Sequence, residues 1–150
     1  MGFHHIVVAV DGSEASQEAL NQAVSIARQD HAGLTGIFVL DSGWPDYIGN
    51  DWQSSRNSRQ GFLDYVYAEQ KQQAAAAADQ FESAAGTAER AQFVVIPGNP
   101  AEVLIDQLNN GDTDLLVLGR RTFQVSGRPS LKALAKRITR KAQVPVMLFP

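Results

Sequence analysis

The sequence predicts an α/β fold: a single-domain, open, five-stranded parallel sheet with helices on both faces. Apolar runs alternate with helix-period segments from one end to the other, the pattern of strands wrapped by helices. The runs are continuous in Val, Ile and Leu instead of alternating with polar residues, as strands covered on both faces require. At 150 residues the chain makes one domain, residues 1–150, large enough to bury about 70% of its unfolded surface.

Strands are expected at His4 to Val10, Leu34 to Leu40, Ala91 to Ile96, Asp114 to Leu118 and Val144 to Phe149. The first helix runs from about Glu14 to Gln29, with Ala15, Ala19, Ala23, Ile26 and Ala27 on one face and Ser13 as its N-cap. The second carries Phe62, Val66, Ala74, Ala77, Phe81 and Ala85 at helical spacing, and Ala74 to Ala78 is a run of high helix propensity. The third opens with Asn99-Pro100-Ala101-Glu102, where Asn caps, Pro fits the first turn and Glu stands at the capping-box position. The fourth spans about Pro129 to Ala142, burying Leu131, Leu134, Ala135 and Ile138 under a basic outer face.

One stretch, Asp41 to Gln60, is expected to be irregular, with Trp44, Tyr47 and Trp52 packing locally or forming a lid over a neighbouring cleft. The last strand is bracketed by Pro145 and Pro150. Proline confines a strand to an edge or its own ends, and an apolar edge needs a partner. A homodimer through Val144 to Phe149 is therefore expected.

There is no cysteine, which excludes disulfide frameworks, thiolate zinc sites and Cys nucleophiles and fits a cytoplasmic protein. No apolar run approaches the ~18 residues of a membrane helix, so no membrane is expected. The net charge of -3 averages two unlike parts. Residues 1–114 hold 5 basic and 16 acidic residues, net -11, whereas residues 115–150 hold 8 basic and none acidic. A basic module on an acidic body favours an anionic ligand. Nucleic acid is disfavoured, because the acidic body repels the same polyanion.

The turn after the first strand, Val10-Asp11-Gly12-Ser13-Glu14, is neither a dinucleotide fingerprint nor a triphosphatase P-loop. Asp11 stands at the carboxyl end of the strand, where open α/β sheets put their ligands. It has two readings: an acceptor for ribose hydroxyls or a metal, or the carboxylate of a turn that caps the first helix. His4 and His5 are adjacent on a strand and point to opposite faces, so they cannot chelate one metal. Neither a GxSxG elbow nor another catalytic constellation is present.

His4-His5-Ile6-Val7-Val8-Ala9-Val10-Asp11-Gly12-Ser13-Glu14, Gly98-Asn99-Pro100-Ala101-Glu102-Val103-Leu104, Asp114 through Arg121, and Val144-Pro145-Val146 together resemble the universal stress protein family over the whole chain. The resemblance implies a Rossmann-like sheet of order 3-2-1-4-5, dimers through the last strand and, in one subgroup, ATP at the crevice between strands one and four. It also implies ligand roles for Asp11 (ribose or metal), Val39 (beside the base), and Leu118 and Gly119 at the turn after strand four.

That subgroup's phosphate segment is Gly, two residues, Gly, nine residues, Gly-Ser/Thr. From Gly119, this sequence has Thr122, Lys132 and Ala133 at the later positions, so only the first glycine matches. An earlier start of the fourth helix is expected to carry its N-terminus away from the phosphate position. Arg120, Arg121 and Lys132 either replace the backbone donors with charged side chains or belong to a solvated basic surface, the reading favoured here.

The expectation is a non-catalytic, dimeric stress-response protein acting through an unidentified protein partner, with weak or absent ATP binding and AMP or ADP tolerated better. Mg²⁺ would enter only with nucleotide. The alternatives are a nucleotide-binding member using Arg and Lys for the phosphates, or a nucleotide-dependent enzyme of a related α/β sandwich.

Overall fold

The computed structural model describes residues 2–50, 56–86, 88, 90–109, 111–123 and 133–150. Strands β1 (His5–Ala9), β2 (Gly33–Asp41), β3 (Ala91–Gly98), β4 (Leu115–Gly119) and β5 (Val146–Phe149) form one sheet. Its order is β3-β2-β1-β4-β5, and every neighbouring pair is parallel. The order puts β1 at the centre, where Ile6, Val7, Val8 and Ala9 are all buried. This is the sheet that the continuous apolar runs predict.

The helices are α1 (Glu14–Asp30), α2 (Trp44–Ile48), α3 (Arg56–Ala85), α4 (Pro100–Asn109) and α5 (Leu134–Lys141). Helix α1 begins where the sequence indicates, with Ser13 as an extended N-cap whose side chain accepts from the Ala15 amide. It ends at His31, which takes the left-handed conformation (φ 54°) and closes the last turn. Asn99 caps α4, its Oδ1 accepting from the Ala101 and Glu102 amides at 3.1 and 3.2 Å. Helices α1 and α3 pack together against the sheet, and α4, which lies on β2 and β3, packs against α5.

Helix α3 packs closest where β2 has no side chain. A Cβ at Gly36 would lie 2.4 Å from the ring of Phe81, which also meets Phe93 at 5.8 Å between centroids. The entrance of β1 is fastened by Asp114, whose carboxylate accepts from the His4 and His5 amides at 2.7 and 3.0 Å. His5 Nε2 lies 3.0 Å from Thr35 Oγ1 on the neighbouring strand, whereas His4 is exposed. The two histidines thus serve the strand's entrance and share no site.

Several boundaries differ from the sequence reading. The stretch from Asp41 to Gln60 is less irregular than expected: β2 runs through Asp41, α2 covers Trp44–Ile48 and α3 begins at Arg56. Trp44 packs edge-to-face on Tyr47 and on Phe62, with centroids 5.7 and 6.0 Å apart, and Arg59 donates to the Gly49 and Pro45 carbonyls. The aromatics therefore pack locally, and the first turns of α3 form because α2 docks on them. Trp52 lies outside the described residues. The last strand begins at Val146 and not Val144, because Pro145 precedes it and contributes only its carbonyl to the Leu116 amide. The last helix is described from Leu134, with Ala133 at the N-cap and no side-chain cap; the start expected at Pro129, with Leu131 and Lys132, lies outside the described residues.

Candidate functional site

The carboxyl ends of β2, β1 and β4 stand side by side in the sheet and carry Val39, Asp11 and Leu118-Gly119. The structure thus brings four of the predicted residues to one end of the sheet, and all four are buried. Arg120 and Arg121 follow Gly119 directly and are exposed. Lys132 lies outside the described residues.

Asp11 is 3% exposed. Its Oδ1 accepts from the Ser13 amide at 3.0 Å, from the Ser13 hydroxyl and from Ser16 Oγ at 3.0 Å. Its Oδ2 accepts from the Phe123 amide at 2.9 Å. Ser16 Oγ also lies 2.9 Å from Gln80 Oε1, but it has one proton, and a carboxylate is the stronger acceptor. Each carboxylate oxygen offers about two lone-pair positions, so the protein's own donors fill Oδ1 and take one position on Oδ2. Asp11 also stands at the N-terminus of α1, where negative charge is favoured. Of its two readings from sequence, the turn and cap is the arrangement seen.

Gln80 of α3 fastens the same turn from behind. Its Oε1 accepts from the Gly12 amide at 3.1 Å, and its Nε2 donates to the Ser13 carbonyl at 2.9 Å and Gln17 Oε1 at 2.9 Å. Gly12 has φ +82°, and a Cβ there would lie 2.9 Å from Ala76 Cβ. Glycine is required on both counts.

Gly119 has a packing reason to be glycine. A Cβ at that position would lie 2.1 Å from the Ala15 carbonyl oxygen and 2.7 Å from Thr122 Oγ1. The first turn of α1 therefore lies directly on the end of β4. The one glycine that matches the nucleotide-binding subgroup is needed here for helix-to-strand contact.

After Gly119 the chain turns back over the sheet, the Thr122 amide donating to the Gly119 carbonyl. Thr122 is fully buried, and its hydroxyl has no partner among the described residues, a cost of about 1–3 kcal/mol. Phe123 adopts φ +69°, a left-handed conformation that costs a residue with a Cβ about 1–2 kcal/mol. Its ring is buried and meets Phe38 edge-to-face at 5.9 Å. Burying a Phe side chain gains about 1.5–3 kcal/mol, comparable to those costs. Since β1 lies between β4 and β2, the ring of Phe123 reaches Phe38 by crossing the carboxyl end of β1.

Sequence reasoning missed Ser16, Gln80, Thr122 and Phe123. Ser16 sits three residues beyond Ser13, a spacing that brings both hydroxyls to one end of a helix. Gln80 carries no signal, because its partners lie more than sixty residues away.

The family model described as the universal stress protein family matches residues 2–150. Universal stress protein Sll1388 of Synechocystis is 23% identical, over 99% of this chain and 98% of that protein. Among solved structures, a universal stress protein in complex with cAMP superposes with a TM-score of 0.65 at 19% identity, covering 100% of this chain and 99% of that one. A universal stress protein from Archaeoglobus fulgidus in complex with dAMP gives 0.63 at 20% identity, covering 100% of both chains. The likeness to these structures is one of fold.

Proposed function

This chain belongs to the universal stress protein family, and on that premise we propose that it acts in the stress response as a non-catalytic, dimeric adaptor with weak or absent ATP binding. The observation that carries the proposal is Asp11. A carboxylate that is 3% exposed and accepts on both oxygens from Ser13, Ser16 and Phe123 is closed to a ribose or a metal unless the protein rearranges. The loss of the later phosphate positions, Thr122, Lys132 and Ala133 standing where glycine and a hydroxyl residue belong, supports the same reading. So does α5, whose N-cap Ala133 offers no side-chain donor or acceptor.

The reading includes a second copy paired along the outer edge of β5, where Leu148 is exposed, and an unidentified protein partner, in the cytoplasm. Among the described residues no helix is long and apolar enough to cross a membrane. Adenine monophosphates are the nucleotides the site would tolerate best, because they make least use of the missing phosphate segment. The complexes of two relatives with cAMP and dAMP support that order.

The test is native mass spectrometry of freshly purified protein, followed by titration calorimetry with AMP, ADP and ATP. Dimer mass, no retained ATP, and affinity falling from AMP to ATP are expected. ATP retained through purification overturns the reading in favour of the second one, in which Arg120 and Arg121, exposed beside Gly119, take the phosphates with Lys132 and Mg²⁺. Phosphate release from ATP and Mg²⁺ above a buffer blank would overturn the absence of catalysis.

A further inference from the structure

We propose that Phe123 is the gate of the crevice: its ring and amide hold the places that the base and ribose of an adenosine monophosphate would take, so the ligand enters only as residues 119–123 swing out. The inference rests on the reading above that the crevice accepts adenine nucleotides. Three observations carry it.

The first is position. The buried ring of Phe123 crosses the carboxyl end of β1 to meet Phe38 on β2, a flat aromatic body packed over the switch point where open α/β sheets take their ligands. The second is chemistry. The Phe123 amide occupies Asp11 Oδ2 at 2.9 Å, the acceptor that a ribose hydroxyl would use. Ligand entry is then an exchange of like for like, a hydroxyl for an amide and a base for a phenyl ring, with little change in the number of buried polar contacts. The third is that the segment is poised to move. Consecutive residues carry a buried hydroxyl without a partner among the described residues, at Thr122, and a left-handed φ at a residue with a Cβ, at Phe123. An outward swing relieves both, and such outliers gather where conformational change is part of function.

The decisive variant is Phe123→Gly, which removes the ring while allowing the backbone to keep its left-handed φ. Binding of AMP, adenine and indole is measured by titration calorimetry on wild type and variant. The variant is expected to bind AMP at least tenfold more tightly than wild type. By the population relation, a tenfold gain corresponds to a wild-type crevice open in about 10% of molecules.

If wild type binds AMP as tightly as the variant, the gate is overturned and the nucleotide reading stands. If the variant gains adenine and indole but not AMP, the gate stands as an aromatic plug and the nucleotide reading fails. If a folded variant gains none of the three, the gate is overturned. Should Phe123→Gly not fold, Phe123→Leu, which keeps an apolar filler of smaller area, is expected to gain about threefold for AMP or adenine. A folded Leu variant without that gain overturns the proposal equally.

Discussion

Replacing Gly119 by alanine separates the two reasons a glycine could stand after β4. The added Cβ would lie 2.1 Å from the Ala15 carbonyl oxygen, and real Cβ atoms do not come within about 3.0 Å of such an atom. The obstacle is backbone in the first turn of α1, so the whole turn must move, together with the Ser13 and Ser16 hydroxyls that it presents to Asp11. Overpacking a well-filled site costs about 1–3 kcal/mol. With an unyielding obstacle and the Asp11 bonds disturbed, the upper end applies. A loss of about 3 kcal/mol lowers Tm by about 6–12 °C in a chain of this length. Thermal and urea unfolding followed by circular dichroism, in nucleotide-free buffer, measures it. A loss below about 1 kcal/mol would refute the reasoning, because the helix would then tolerate a Cβ and only a ligand could require the glycine.

Gly61 is the matched opposite: it lies within α3 with nothing near its Cβ position, so Gly61→Ala is expected to stabilise by about 0.5–1 kcal/mol, read in the same unfolding assay. Asp11→Asn turns an amide group toward the Phe123 or Ser13 donors and is expected to cost about 3 kcal/mol, since bonds to a charged group contribute about 1.5–3 kcal/mol each; a urea midpoint unchanged from wild type would contradict the role given to this carboxylate. Gln70, buried on α3, accepts from the Asp41 amide at 2.6 Å and donates to the Asp41 carbonyl at 3.1 Å; Gln70→Ala removes both bonds and is expected to cost about 2–3 kcal/mol, with faster amide exchange at Asp41 as the local readout.

What was legible in the sequence was local or periodic. Ser13 and Asn99 mark helix starts because their partners are two or three residues away, and β1 announces itself by four consecutive apolar residues that the sheet covers on both faces. Helix α3 was half legible. Its apolar spacing is clear from Phe62 onward, but Arg56 to Gly61 contains a glycine and no apolar anchor, and this part is held by Arg59 reaching the carbonyls of α2. Position at the end of the first strand found Asp11, with the turn and cap among its readings, and the family resemblance added Gly119, yet neither gave the full set of bonds that Asp11 makes. That depends on Phe123, which meets Asp11 across 112 positions of sequence through a φ angle that no residue pattern specifies. Thr122 reads in sequence only as a missing glycine, whereas in the fold it is a buried hydroxyl.

The strand order gives the uneven charge of the chain a direction in space. Among the described residues, β4, α5 and β5 carry most of the acid-free quarter of the sequence to one flank of the sheet. Lys136, Arg137, Arg140 and Lys141 are exposed there. Two copies meeting along β5 would bring two cationic flanks together, and the repulsion reaches over about 10 Å at 0.1 M salt. Such a pair behaves opposite to one held by ion pairs: it tightens as salt is added and loosens at low ionic strength. In the proposed dimer, ionic strength would thus be a control on assembly, and polyanions that settle on both flanks would act as the glue.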